Sequence, residues 1–172
     1  MPPFAIRSRT DADRPAVAGL LLATHASDAY PAVLPPDLEA WGAAVDVVAA
    51  WVAVDDAGEV VGHVVLTEPD QGAATPQWEA ATGLSGSQLG VVRRLVVHRR
   101  AQGTGTGRAL LATAVDAAHE LGRRPVLDMS DNLTAAGALY AAAGFTEVGA
   151  YPLQLPGHLL RVLTWVGPPP AR

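Results

Sequence analysis

The sequence predicts an α/β (α+β) fold: a mixed, mostly antiparallel central sheet with helices on both faces. Three observations carry that prediction. Apolar types make up 49% of the 172 residues, ample for the core of one domain. Hairpin signals dominate the first half of the chain. Strand–helix–strand signals dominate the second.

The elements follow in order. Ala5–Ser8 reads as a first strand. Thr10 or Asp11 caps a helix over about Ala12–His25, with Val17, Leu20, Leu21 and Thr24 on one face. His25 to Pro31 reads as a loop. Pro35 and Pro36 open a short helix that turns Leu38 and Trp41 inward. Val47–Val54 and Val60–Thr67 are strands joined by a hairpin turn from Asp55 to Gly58. A Gly-, Ala- and Thr-rich stretch holds a short helix near Gln77–Ala81, around Trp78. Val91–Val97 is a β-branched strand. From Gly103 a long helix runs to Leu121, with Leu110, Leu111, Ala114, Val115, Ala118 and Leu121 on its apolar face and Gly122 as its stop. Pro125–Ser130 is a strand, and Thr134–Ala143 is a helix ended by Gly144. Phe145–Tyr151 and Leu159–Val166 are final strands joined by a Pro/Gly loop. Residues 1–166 read as a single domain and 167–172 as a Pro-rich tail.

Composition narrows the function. Cysteine is absent, which excludes disulfides, thiolate metal ligands and a Cys nucleophile. All twelve basic residues are arginine, so a catalytic lysine and a Lys-bearing P-loop are excluded too. A net charge of −5 argues against a nucleic-acid partner. Five arginines nevertheless crowd one stretch: Arg93, Arg94, Arg99, Arg100 and Arg108. An acidic protein with one local Arg cluster predicts a small anionic ligand. The histidines are scattered without metal-ligand spacing, so no metal is expected. No apolar run suits a membrane span, and the N-terminus lacks a signal-peptide pattern. The expected location is cytoplasmic, with no membrane partner.

The most informative segment runs from Leu95 to Leu111. A strand enters a glycine-rich turn that opens directly into an amphipathic helix. Gly103, Gly105 and Gly107 allow positive φ and close approach of a ligand to the backbone. The first N–H groups of the helix and its macrodipole favour an anion. Arg99, Arg100 and Arg108 add charge, with the phosphate role falling best to Arg100 and Arg108. The segment reads as a phosphate or pyrophosphate site. Its G-x-G-x-G spacing is not the G-x-G-x-x-G of a dinucleotide fold.

That segment resembles the GNAT family of N-acetyltransferases. The family's acyl-CoA motif, Q/R-x-x-G-x-G/A, is met by Gln102, Gly105 and Gly107, followed by Leu110 and Leu111. A second block from Leu139 and Tyr140 to Gly144 and Phe145 looks like the family's L-Y-x-x-x-G-F. The two blocks cover about residues 94–145, and the element order agrees along nearly the whole chain. The resemblance implies a GNAT fold with a splayed central strand pair and acetyl-CoA as cosubstrate. It implies that Leu95, Val96 and Val97 pair with the pantetheine arm as an added strand would. Gln102, Gly103, Thr104, Gly105, Thr106, Gly107 and Arg108 would cradle the pyrophosphate. Tyr140 would be the general acid for the leaving thiolate, and Asn132 a CoA contact. The chain departs from the pattern at three places. Leu133 stands at the usual Asn position, one residue after Asn132. Arg99 replaces the frequent Pro after the strand. Gly90, Val91 and Val92 stand where a basic Glu is frequent.

The general base therefore stays open among Glu68, Asp70, His98, Asp128 and the pair His25/Asp28, and His98 also reads as an ordinary strand-end residue. In this family the loop between the first helices shapes the acceptor pocket, which points to His25, Asp28 and Tyr30 as substrate contacts. The expected activity is acetyl transfer to a primary amine of a small molecule by direct attack. A protein or peptide N-acetyltransferase and a non-catalytic acyl-CoA-binding module are the alternatives. The apolar strand Leu159–Val166 is a candidate for pairing across a homodimer.

Overall fold

A short apolar-to-polar stretch, Phe4–Ser8, forms a strand, β1, in the computed structural model of the protein, which describes residues 3–171. Met1, Pro2 and Arg172, the ends of the N-terminal reading and of the tail, lie outside the described residues. The further elements are α1 (Arg14–Asp28), α2 (Leu38–Ala43), β2 (Val47–Asp55), β3 (Val60–Thr67), α3 (Thr75–Thr82), β4 (Leu89–Val97), α4 (Thr106–Glu120), β5 (Arg124–Ser130), α5 (Thr134–Ala142), β6 (Thr146–Leu155) and β7 (His158–Val166). The strand order is β1-β2-β3-β4-β5-β7-β6. The pairs β1–β2, β2–β3, β5–β7 and β6–β7 are antiparallel, and β4–β5 is parallel. The sheet is thus mixed, as the element order predicts.

The chain forms two compact units. One comprises the residues up to Thr67 together with Arg94–Ala114, the other Glu68–Arg93 together with the residues from Val115 on.

In the first unit, a 3-10 turn over Asp11–Asp13 leads into α1 and is capped by Thr10, whose backbone N–H and hydroxyl both donate to Asp13 Oδ2, at 2.7 and 3.0 Å. Arg7 holds the same carboxylate through two hydrogen bonds of 2.7 and 2.8 Å. Val17, Leu20 and Leu21 of α1 pack with Val52 and Val96 into a core, bordered by Tyr30, Leu38 and Trp41. Gly62 lets α4 approach β3. A Cβ there would meet Leu110 Cδ1 at 2.7 Å and Thr106 Cγ2 at 3.2 Å. This close approach sets the start of α4 against the sheet.

In the second unit, Trp78 of α3 is fully buried among Leu89, Val91, Val126 and Val166. An indole of this size buries roughly 200 Å2, which at about 25 cal/mol per Å2 contributes about 5 kcal/mol. Gln77 fastens α3 to the last hairpin: its Nε2 donates to Ala150 O at 3.1 Å and its Oε1 accepts from Thr164 Oγ1 at 2.8 Å.

Several boundaries move for local reasons. The helix α1 continues to Asp28, because Ala26, Ser27 and Asp28 contain no breaker; left-handed Ala29 ends it. His25 and Asp28 therefore lie on a helix rather than in a loop. Pro35 and Pro36 precede α2, and Asp37 caps it by accepting from Ala40 N at 2.9 Å. The helix α4 starts at Thr106 rather than Gly103, because Gly103 and Gly105 have φ of +76° and +89°. The strand β6 runs through Pro152, which an edge strand tolerates. Gly167 and Pro168 are anchored by Pro125, Arg124 and His119, so the tail departs only beyond them.

Candidate functional site

The glycine turn is built from the end of β4. His98 N–H donates to Val61 O at 2.8 Å, continuing the strand by one residue. His98 Nδ1 then accepts from Arg100 N at 3.2 Å and caps a short 3-10 turn over Arg99–Ala101. Buried Ala101 roots this turn, while Gln102 to Gly105 are exposed. A Cβ at Gly103 or Gly105 would meet nothing within 4 Å. Positive φ favours glycine at both positions, and the space beside them is open. Thr104 Oγ1 donates to Ala101 O at 2.6 Å. Its single hydroxyl proton being used, it accepts from Thr106 Oγ1 at 2.8 Å. Ala109 N makes a helical bond back to Gly105 O at 3.0 Å. The N–H groups of Thr106, Gly107 and Arg108 lie in the first turn of a 15-residue helix, where no i−4 helical carbonyl is available and the dipole is positive.

This arrangement fits a pyrophosphate: backbone donors at a helix start, open space beside two glycines, and the exposed side chains of Arg99 and Arg108. Arg100 is committed elsewhere, donating to Asp55 Oδ2 at 2.8 Å. The hairpin turn thus supplies it with a carboxylate partner. Gln102 braces the turn, its Nε2 donating to Asp28 Oδ2 at 3.0 Å and Val97 O at 3.2 Å. In β4, Val96 is buried while Leu95 and Val97 are half-buried. His25 approaches Pro31 O through Nδ1 at 2.6 Å, and Tyr30 packs on Trp41 with centroids 6.0 Å apart. His25, Asp28 and Tyr30 are thereby fixed at the α1 terminus.

The first unit also holds a polar cluster that sequence reasoning missed. His63, on β3, is fully buried. Its Nε2 lies 2.9 Å from Arg9 Nη1 and its Nδ1 lies 3.0 Å from Arg94 O. Burial away from water, with two cations nearby, pushes its pKa down to about 4, so the ring is neutral. Arg94 has φ of +53° inside β4. Its Nε donates to Trp41 O at 3.2 Å, and its guanidinium lies 3.4 Å from the Trp41 ring centre. The available signal was one histidine in the otherwise apolar run Val60 to Leu66: a buried polar ring must find partners.

In the second unit, four side chains meet. Tyr151 OH donates to Asp128 Oδ2 at 2.5 Å. Arg93 reaches Asp128 Oδ1 at 3.6 Å and Asp70 Oδ2 at 3.0 Å. Desolvation, and then the Asp128 charge, push the Tyr151 hydroxyl pKa up, so it remains a donor. Glu68 sits apart from this group, both its oxygens held by Arg123 at 2.7 Å. Those hydrogen bonds hold its pKa below the usual carboxylate value. Tyr140 is buried on α5 against Phe145 and Trp165, with centroids 5.9 and 6.5 Å away. Asn132 is exposed in the turn after β5. Among the described residues no three His, Asp or Glu side chains gather to hold a metal ion. No helix among them is long and apolar enough to cross a membrane.

Residues 47–147 match the model of the acetyltransferase (GNAT) domain. No curated protein matches the sequence. Solved structures match the fold. A candidate phosphinothricin N-acetyltransferase gives a TM-score of 0.74 at 20% identity, over 98% of this chain and 99% of its own. The candidate acetyltransferase yncA from Salmonella typhimurium, solved with its cofactor acetyl-CoA, gives 0.70 at 21% over 95% and 92%. A ribosomal-protein-alanine N-acetyltransferase from Brucella melitensis gives 0.71 at 23% over 94% and 98%. At these identities the likeness is one of fold.

Proposed function

This chain belongs to the GNAT family of acetyltransferases, and on that premise we propose that it moves the acetyl group of acetyl-CoA onto the primary amine of a small cationic molecule by direct attack. The observation that carries the reading is the exposed glycine turn at the start of α4. Gly103 to Arg108 take the pyrophosphate through backbone N–H groups, and Leu95 to Val97 pair with the pantetheine arm. The thioester supplies an activated carbonyl, which a backbone N–H of β4 polarises. The acceptor nitrogen first gives up its ammonium proton to solvent and attacks as the free base; as the C–N bond forms it becomes acidic and gives a second proton to Asp128. As the C–S bond breaks, Tyr140 gives its phenolic proton to the departing thiolate. The products are the N-acetylated amine and free CoA.

Asp128 is favoured over the other candidate bases by what each side chain already does. Arg123 grips both oxygens of Glu68. His98 uses Nδ1 as a cap. Asp128 is oriented by Tyr151 through one oxygen, with its other oxygen 3.6 Å from Arg93. The carboxylates of Asp70 and Asp128, in a chain of net charge −5, favour a cationic acceptor.

Isothermal titration with acetyl-CoA, with ATP and NAD as controls, tests the cosubstrate; saturable binding of acetyl-CoA alone is expected. Release of CoA with a panel of small amines and of peptides tests the acceptor. Acetylation of peptides and of no small amine would reverse the acceptor class. Asp128→Asn and Tyr140→Phe should each lower kcat by about 100-fold or more while acetyl-CoA still binds. Unchanged turnover in either variant removes that residue's role.

A further inference from the structure

The buried imidazole of His63 plays no part in that chemistry, yet its surroundings leave it one protonation pattern. An arginine side chain only donates and a carbonyl oxygen only accepts. Nε2 must therefore accept from Arg9 Nη1 at 2.9 Å, and Nδ1–H must donate to Arg94 O at 3.0 Å. Arg94 is a left-handed residue inside a strand, a conformation that L side chains with a Cβ rarely adopt. It stands immediately before Leu95. Three contacts fix it: His63 on its carbonyl, Trp41 O on its Nε, and the Trp41 ring under its guanidinium. Arg9 ties the same cluster to the last turn of α2, donating to Gly42 O at 3.3 Å and Ala43 O at 2.8 Å.

We propose that His63 is a positioning residue for acetyl-CoA: its Nδ1–H, fixed by Arg9, holds the left-handed backbone at Arg94 and so aims the Leu95–Val97 strand at the pantetheine arm. The proposal rests on the acetyl-CoA reading of that strand. It also ties the acceptor side to the cofactor side, because Tyr30 packs on the same Trp41 ring that carries Arg94.

The test exploits the two nitrogens. Asparagine places an amide N–H near Nδ1, whereas glutamine places its amide near Nε2. Acetyl-CoA titration of His63→Asn, His63→Gln and His63→Leu, with the Tm of each, separates them. We expect His63→Asn to bind within about threefold of wild type, and the other two to bind at least about tenfold more weakly. The loss should fall on KM for acetyl-CoA far more than on kcat. Equal affinity across all three variants and wild type overturns the proposal alone. A wild-type protein that binds no acetyl-CoA overturns the reading of the strand, and the proposal with it. If the Gln and Leu variants do not fold, nitrogen-15 spectra of the wild-type histidine rings decide. A protonated Nδ1 and bare Nε2 at His63, shifted by saturating acetyl-CoA, are expected. The opposite tautomer, or a ring unmoved by acetyl-CoA, overturns the proposal.

Discussion

Two regions flank the second half of β4 and are made in opposite ways. The turn from Gln102 to Arg108 is backbone chemistry: positive φ at two glycines and N–H groups at one helix start. The cluster of Arg9, His63, Arg94 and Trp41 is side-chain chemistry, drawn from four separate segments around the one buried ring of His63. The first presents donors to a ligand. The second consumes its donors and acceptors internally, and its product is a backbone shape. A turn of the first kind should be sensitive to changes in local conformation and insensitive to pH. A cluster of the second kind should respond to protonation and to loss of any one partner.

Acid should expose this difference most strongly. His63 has an unfolded value near 6.5 and a folded value of about 4, set by burial, which outweighs the hydrogen bond to the Arg94 carbonyl, with the Arg9 and Arg94 charges adding and Asp13 opposing. The folded state thus resists the proton that the unfolded chain accepts. Stability is complete above about pH 6.5 and falls as pH drops toward 4, by about 3 kcal/mol in all. The carboxylates of Asp13 and Glu68, also held low, contribute their loss only below about 4.5, so the upper part of this window belongs to His63. Urea unfolding of wild type and His63→Asn at pH steps from 7 to 4.5 checks this. The wild-type slope should vanish in the variant, and equal slopes would place the acid sensitivity elsewhere.

Arg9→Met should be next in size. It leaves His63 Nε2 and the Gly42 and Ala43 carbonyls without their cation, at about 2 kcal/mol of stability. A lowered Tm is expected, with acetyl-CoA affinity falling in parallel. Unaltered Tm would show that water replaces the guanidinium.

Gly105→Ala should have the smallest effect and the opposite character. A methyl there meets no atom within 4 Å, so crowding is absent and only the φ of +89° resists it. Left-handed backbone with a Cβ costs about 1–2 kcal/mol. Acetyl-CoA affinity should drop by about tenfold, and the drop should not change between pH 5 and 7. A pH-dependent loss would mean that the turn is coupled to the histidine cluster.

Some of this was legible before any fold was known. The apolar spacing of α4 marked Leu110, Leu111, Ala114 and Ala118, which are buried, and Val115, which is half-buried; Leu121, just past the helix end, is exposed instead. Gly103 and Gly105 marked the turn, and both carry positive φ. What escaped were partners. Arg100 carried no sign of its ion pair with Asp55, 45 positions away. His25 and Asp28 looked like loop residues because Tyr30 and Pro31 masked the length of α1. Tyr151 carried no signal, since an aromatic residue in a strand is ordinary core material.

The sequence alone determined the element order, the mixed sheet and the glycine turn. Each depends on residues a few positions apart, where periodicity, capping and φ preference act directly. Tertiary structure decided which polar groups meet: Arg9 with His63 across 54 positions, His63 with Arg94 across 31, Arg123 with Glu68 across 55, and Tyr151 with Asp128 across 23. Those pairings depend on which strands become neighbours and which side chains water leaves behind. No local pattern records either, because a buried polar group is satisfied by whatever the fold brings to it.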